Sequence, residues 1–293
     1  MTAAAMHRTS GDRRTLVVHT GGIGDFLLFC PSLLRLREEG PVTLAGFRDR
    51  LNLAVVTGIA EDALDLDDTG FESVFSEPNA ILQRFLARFD RAVVWMNDDG
   101  AIARAFEACG VGDLRVFPGL PPEGWTRHAS AYYAEQLGLG ALPPFRLPIE
   151  ASETPHDVLI HPGSGGKKKN WPMERFAEVA ARLTQLGRNV AWIRGPAEES
   201  IRIPPGANLI ETPSLVTLAR DLAATRLYVG NDSGVTHLAA ACGCRTVAVF
   251  GPTDPAVWAP RGEHVTVVHG DPWPGIGDVM DGMGDMDRMD SAG

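Results

Sequence analysis

Lysine is almost missing from this chain. Its three lysines, Lys167, Lys168 and Lys169, stand side by side, and the rest of its 27 basic residues are arginines. Ordinary solvated surface is therefore made with arginine here, and the one ammonium cluster is read as functional. The four cysteines, Cys30, Cys109, Cys242 and Cys244, have neither zinc nor redox spacing, and buried free thiols are expected. No uninterrupted apolar run is long enough to span a bilayer. Met1 to Arg14 lacks an apolar leader core, so no secretory signal is read there and a cytosolic address is the default. Positive charge is in deficit: a net charge of -10 argues against a nucleic-acid partner.

What is present is globular. A chain of 293 residues, 44% hydrophobic and 22% charged, has room for two domains, each with its own core. Short apolar runs read as strands at 14–19, 42–45, 92–95, 114–117, 158–161, 189–193, 227–229 and 246–250. Helical patterns fall between them, at 26–39, 50–56, 80–89, 102–109, 132–137, 173–186 and 214–223, with another opening at Gly234. That alternation predicts parallel sheets covered by helices. Gly, Pro and short polar residues dominate 138–155, the expected linker between a domain at 1–150 and one at 151–270. From Asp271 on, six aspartates and a three-residue methionine spacing (Met280, Met283, Met286, Met289) alternate with glycine. One helix face would fit that spacing, but Gly282 and Gly284 favour a disordered acidic tail over 271–293.

Ligands of open parallel sheets gather at the carboxyl ends of the strands, and three turns fit that rule. In Tyr228-Val-Gly-Asn-Asp-Ser-Gly234, a polar turn opens an Ala-rich helix. Its first N–H groups and the positive end of the helix dipole suit a phosphate, and a plain N-cap reads equally well. In Thr20-Gly-Gly-Ile-Gly-Asp25, the third glycine of a dinucleotide-binding loop is missing, and Asp25 would repel a pyrophosphate. That carboxylate reads either as a general base for a hydroxyl or as a helix cap. The loop His161-Pro-Gly-Ser-Gly-Gly-Lys-Lys-Lys-Asn-Trp-Pro172 joins backbone N–H groups and a hydroxyl to three cations, which suits a departing diphosphate. It is not a P-loop. Asp65-Leu-Asp67 has the outline of a D-x-D metal site, but its acidic surroundings favour solvated surface. One turn lies in the first half of the chain and two in the second, so a ligand held between two domains is expected.

Four motifs in order carry a more specific resemblance. Gly21-Gly-Ile-Gly-Asp25, then His161-Pro-Gly-Ser164 with Lys169-Asn-Trp-Pro172, are two of them. Gly230-Asn-Asp-Ser-Gly234 with His237-Leu-Ala-Ala240, and Phe250-Gly-Pro-Thr-Asp-Pro255, complete the set. Over about residues 14–268 the chain resembles glycosyltransferase family 9, the ADP-heptose:lipopolysaccharide heptosyltransferases. The resemblance implies an α/β GT-B fold: two Rossmann-like domains with parallel sheets facing a cleft, the acceptor on the first and the nucleotide sugar on the second. It implies inverting transfer with no D-x-D metal and no cofactor. By motif, Asp25 takes the place of the base, in an acceptor-side loop with Gly22 and Gly24. Lys169 takes that of the cation on the donor phosphates, beside Ser164. Asp232, Ser233, Gly234 and His237 fall in the donor-site turn, and Glu198 where the family has a ribose-binding acid. The implied partners are an ADP-heptose-like donor and a glycan or lipid-linked glycan acceptor, met at the inner face of the plasma membrane.

The chain departs from the family's pattern in three places. His19 stands where a basic residue commonly ends the first strand, the chain is short, and the Met/Asp tail replaces a C-terminal helix. A catalytically degenerate GT-B protein acting as a partner or scaffold is the rival reading, against which Asp25, Lys169 and Asp232 all stand intact. An NAD-type oxidoreductase is disfavoured by the missing third glycine.

Overall fold

The structure, a computed structural model, describes residues 13–195, 201–211 and 214–284. The chain folds as two units. The first comprises residues up to Gly21, Phe29–Gly124 and Tyr133–Leu142; the second comprises Gly22–Leu28, Trp125–Tyr132 and the chain from Pro143 on.

In the first unit, five parallel strands run in the order β3-β2-β1-β4-β5: β1 (Thr15–His19), β2 (Val42–Gly46), β3 (Asp62–Asp65), β4 (Arg91–Trp95) and β5 (Asp113–Phe117). Every residue of β1, β2 and β4 is buried, as expected of parallel strands covered on both faces. The helices are α1 (Ile23–Glu38), whose first residues Ile23–Leu28 belong to the second unit, α2 (Arg48–Val56), α3 (Ala80–Leu86) and α4 (Ala101–Ala108). One layer of core joins Leu16 and Val18 to Phe71, Leu82 and Phe106. Asn79 starts α3 by accepting from the N–H groups of Ile81 and Leu82. The acidic stretch at 62–68 is an edge strand and a short 3-10 turn. Asp65 accepts there from Asp67 N at 3.2 Å and from Arg48 Nε at 2.9 Å, so its carboxylate is engaged locally.

After α5 (Ala129–Gln136), the second sheet has six parallel strands in the order β11-β10-β9-β6-β7-β8. They are β6 (His156–His161), β7 (Val190–Ile193), β8 (Asn208–Ile210), β9 (Thr225–Asn231), β10 (Arg245–Phe250) and β11 (Val265–His269). This is the doubly wound dinucleotide-fold order, and its direction reverses between β6 and β9. Helix α6 (Met173–Gln185) buries Phe176, Val179, Ala180 and Leu183, a 3.6-residue stripe, against that sheet. Helices α7 (Leu215–Ala223), α8 (Gly234–Cys242), α9 (Pro255–Trp258) and α10 (Ile276–Gly282) complete the unit.

Helix α10 corrects the expected disordered tail. Residues Ile276–Gly282 form a helix, and Val279 and Met283 are buried in the core of the second unit with Ile276, Met280 and Trp273 packed around them. Ile276, Val279, Met280 and Met283 repeat at i, i+3, i+4 and i+7, a stripe that the methionines alone only half reveal. Gly282 belongs to this packing: a β-carbon there would lie 2.7 Å from Val268 Cγ2, so glycine lets the helix sit close on β11. The carbonyl of Pro274 accepts from Trp171 Nε1 at 3.1 Å and from Arg175 Nη1 at 2.9 Å. Met286 and Met289 lie outside the described residues. Among the described residues, no helix is long and apolar enough to cross a membrane.

Candidate active site

The strand-order reversal of the second sheet leaves the ends of β6 and β9 side by side, with His161 paired in register to Gly230. The next residue of β9, Asn231, is fully buried. Its Nδ2 donates to the Pro162 carbonyl at 2.7 Å and its Oδ1 accepts from Trp171 N at 2.8 Å. One amide side chain thus pins both ends of the 162–171 loop. Inside it, Ser164 Oγ lies 2.8 Å from the Gly166 carbonyl and 2.6 Å from Asn170 Oδ1, and accepts from Gly166 N at 3.2 Å. A hydroxyl has one proton, so Ser164 serves one of these acceptors at a time, and its present work is to shape the loop.

The three lysines form a single 3-10 turn. Lys167 and Lys168 are exposed, whereas Lys169 Nζ reaches down 2.8 Å to Asp232 Oδ2. The same carboxylate oxygen accepts from Thr253 Oγ1 at 2.8 Å, and Asp232 is only 7% exposed in its side chain. Asp232 therefore does not confront an incoming anion bare. Its charge is met by Lys169, and burial strengthens a charge-assisted contact of this kind.

The turn that follows is a capped helix start, with Ser233 as the N-cap of α8, accepting from Thr236 N. Thr236 Oγ1 donates to the Asn231 carbonyl and lies 3.1 Å from both Tyr228 Oη and Ser233 Oγ. Two glycines let the Gly22–Asp25 turn approach this helix. A β-carbon on Gly234 would stand 2.8 Å from Ile23 Cβ, and one on Gly24 2.9 Å from His237 Cδ2. Asp25 sits in the first turn of α1, where its Oδ2 accepts from Gly22 N at 2.9 Å. This is half of a capping box, so the carboxylate is oriented by its own helix end.

His237 is buried in α8. Burial pushes its pKa well below the usual imidazole value; Asp232 opposes, His128 and Lys169 add to the fall, and a hydrogen bond to the Trp258 carbonyl opposes it. The ring is neutral at pH 7. His19, by contrast, is a core residue of the first unit. It stacks on Phe29 with ring centroids 4.8 Å apart, and burial, helped by Arg50, lowers its pKa to about 3.

Of the residues singled out in the sequence, Ser164, Lys169, Asp232, Ser233, Gly234 and His237 come together at the carboxyl ends of β6 and β9. Gly22, Gly24 and Asp25 pack beside them through the two glycine contacts. Glu198 lies outside the described residues. Sequence reasoning passed over Asn231, Thr236 and Thr253. The first two stand inside a motif that was read for its loop, and Thr253 stands in the turn after β10.

Comparison with known proteins bears on family and fold. Residues 139–276 match the family described as glycosyltransferase family 9 (heptosyltransferase). Lipopolysaccharide heptosyltransferase 1 of Pseudomonas aeruginosa is 36% identical over 107 residues, 34% of this chain and 30% of that protein. The chain thus spans about a third of the length of this curated relative. Among solved structures, glycosyl transferase family 9 from Veillonella parvula superposes with a TM-score of 0.72 at 18% identity, covering 97% of both chains. Escherichia coli ADP-heptose lps heptosyltransferase II does so with a TM-score of 0.71 at 19% identity, covering 95% of this chain and 100% of that one. Residues 139–276 are therefore similar to glycosyltransferase family 9 (heptosyltransferase), and the chain shares the GT-B fold of the solved structures it matches.

Proposed function

We propose that this protein is an inverting glycosyltransferase that moves a sugar, heptose from ADP-heptose, onto a cell-envelope glycan such as a lipopolysaccharide core, working from the cytosolic side of the membrane. The observation that carries the reading is the Lys169–Asp232–Thr253 cluster beside the N-terminus of α8, in the stretch similar to family 9. The donor assignment is supported by the relative of the same fold named for ADP-heptose.

In this reading the diphosphate of the donor lies on the α8 amides and the lysine turn. Asp25 accepts the proton of the acceptor hydroxyl as its oxygen attacks the anomeric carbon from the face opposite the diphosphate. The carbon–oxygen bond to the phosphate breaks, and the electron pair leaves with the nucleoside diphosphate. Lys169 and the helix dipole meet the charge that grows there. A carboxylate base on one side and cations on the other are what an in-line displacement requires. Asp232 keeps the ammonium pointed inward until the phosphate takes its place beside it.

A melting-temperature panel of ADP, UDP, GDP, CMP and NAD tests the donor. ADP at 100 times its Kd should add about 2.7 kcal/mol of stability by mass action, and the other nucleotides less. Stabilisation by NAD alone would overturn the transferase reading in favour of a dehydrogenase.

A further inference from the structure

A second cluster lies in the same unit. The segment Trp125–Tyr132 carries His128 and Ser130 against the loop that follows α9. Arg261 Nη1 lies 2.9 Å from Ser130 Oγ, Ser130 Oγ lies 2.9 Å from His128 Nδ1, and His128 Nε2 lies 2.8 Å from the Ala259 carbonyl.

For a neutral imidazole these distances fix the direction of every hydrogen bond. A guanidinium only donates and a carbonyl only accepts. Arg261 must donate to Ser130, and His128 must donate from Nε2 to Ala259. Nδ1 is then the acceptor for the Ser130 hydroxyl, and also for Ser130 N at 3.3 Å. The imidazole is held as its neutral Nε2–H tautomer. Burial lowers the pKa of His128 and Arg261 adds to that, while the bond to Ala259 opposes it.

The carbonyl before Ala259 is that of Trp258, which takes the hydrogen bond of His237. Two neutral histidines thus hold consecutive carbonyls at the end of α9. At its start, Asp254 caps the helix by accepting from Ala256 N at 2.8 Å. Directly before it stands Thr253, whose hydroxyl holds Asp232. The segment 253–259 is therefore tied at one end to the Lys169–Asp232 pair and at the other to His128 and His237.

We propose that His128 is a positioning residue for the donor site, fixing the 253–259 segment so that Thr253 keeps Asp232 set against Lys169. The inference rests on the donor reading above. Protonation of His128 would turn Nδ1 from acceptor to donor and set a cation against Arg261, with His237 also within electrostatic reach. Among the described residues, Asp232 is the acidic group that opposes this at His237. In acid the cluster should therefore loosen through repulsion between His128 and Arg261, while Nε2–H still faces the Ala259 carbonyl.

The test compares His128→Ala, His128→Gln and Ser130→Ala in the full chain, well below their melting temperatures. ADP binding by calorimetry and the 15N shifts of the histidine rings are measured from pH 5 to 8. Expected are ADP binding weakened about tenfold by His128→Ala, recovery in His128→Gln, whose amide N–H can reach the Ala259 carbonyl, and an unprotonated Nδ1 signal for His128 that is lost in acid together with affinity. Ser130→Ala should shift the loss of affinity to a different pH without abolishing binding. Unchanged ADP affinity in a folded His128→Ala, or equal loss in His128→Gln, overturns the proposal. Wild-type protein that binds no ADP while His128 still shows its unprotonated Nδ1 signal would instead sink the donor reading beneath it.

Discussion

Replacing Val279 by alanine tests whether the C-terminal helix is part of the folded core. Val279 is 0% exposed and belongs to the cluster that also holds Val268 and Met283. The substitution removes two methyl groups, worth about 1.6 kcal/mol at ~0.8 kcal/mol per buried carbon. The unfilled space adds to that, giving a total of roughly 1.5–3 kcal/mol. For a unit of this size each kcal/mol moves the melting temperature by roughly 2–4 °C, so a fall of roughly 3–12 °C is expected. Calorimetry or circular dichroism reads it directly. Asp281→Ala, an exposed position on the same helix, is the control and should stay within about 0.5 kcal/mol of wild type. If both variants melt with wild type, α10 contributes nothing to the core and the packing argument is wrong.

Asp25→Asn should keep ADP binding and lower kcat by roughly 10²–10⁴-fold, the usual worth of a general base; a fully active variant would remove Asp25 from that role. Lys169→Ala should weaken ADP binding by roughly 10–100-fold, as loss of one charge-assisted contact does, and equal affinity in calorimetry would refute the cation's part. Gly24→Ala should cost roughly 1–3 kcal/mol, because its methyl must displace the buried His237 ring; an unshifted urea midpoint would show that the ring yields freely. His19, whose folded pKa is about 3, binds a proton in the unfolded chain from about pH 6.5 downward and in the folded chain only near pH 3. Its share of stability is therefore present above pH 6.5 and falls as pH drops, by about 2 kcal/mol at pH 5. His19→Phe should flatten that limb of the stability–pH curve, and parallel curves for the two proteins would contradict it.

Much of the fold was legible in the sequence because interior parallel strands carry their own signal. Leu16-Val-Val18 and Val247-Ala-Val249 are apolar without interruption and buried throughout. The edges were harder. Asp62–Asp65 and Asn208–Ile210 are short and partly exposed, so they lack both the apolar run and a full alternation. Val265–His269 passed unnoticed, although its composition is that of a strand. Helix α10 was misread because glycine and aspartate were weighed by composition, while Ile276 and Val279 supplied the missing half of its stripe. At the site, the motifs located the loops but not their bracing. Nothing local in the sequence says that Asn231 ties down residues sixty positions earlier, or that the Thr253 hydroxyl ends on Asp232. Those are tertiary contacts, made only once β6, β9 and β10 lie side by side.

The confinement of lysine to a single turn gives the chemist an address. Apart from the α-amino group, an amine-reactive dye can attach only at Lys167, Lys168 or Lys169, and the first two are the open ones. A fluorophore placed there stands one or two residues from the ammonium that grips Asp232, and its emission would report occupancy of the proposed diphosphate site. A lysine-specific endoprotease likewise can cut only at the three adjacent bonds after Lys167, Lys168 and Lys169, so the rate at which the two halves part becomes a measure of how tightly that turn is held.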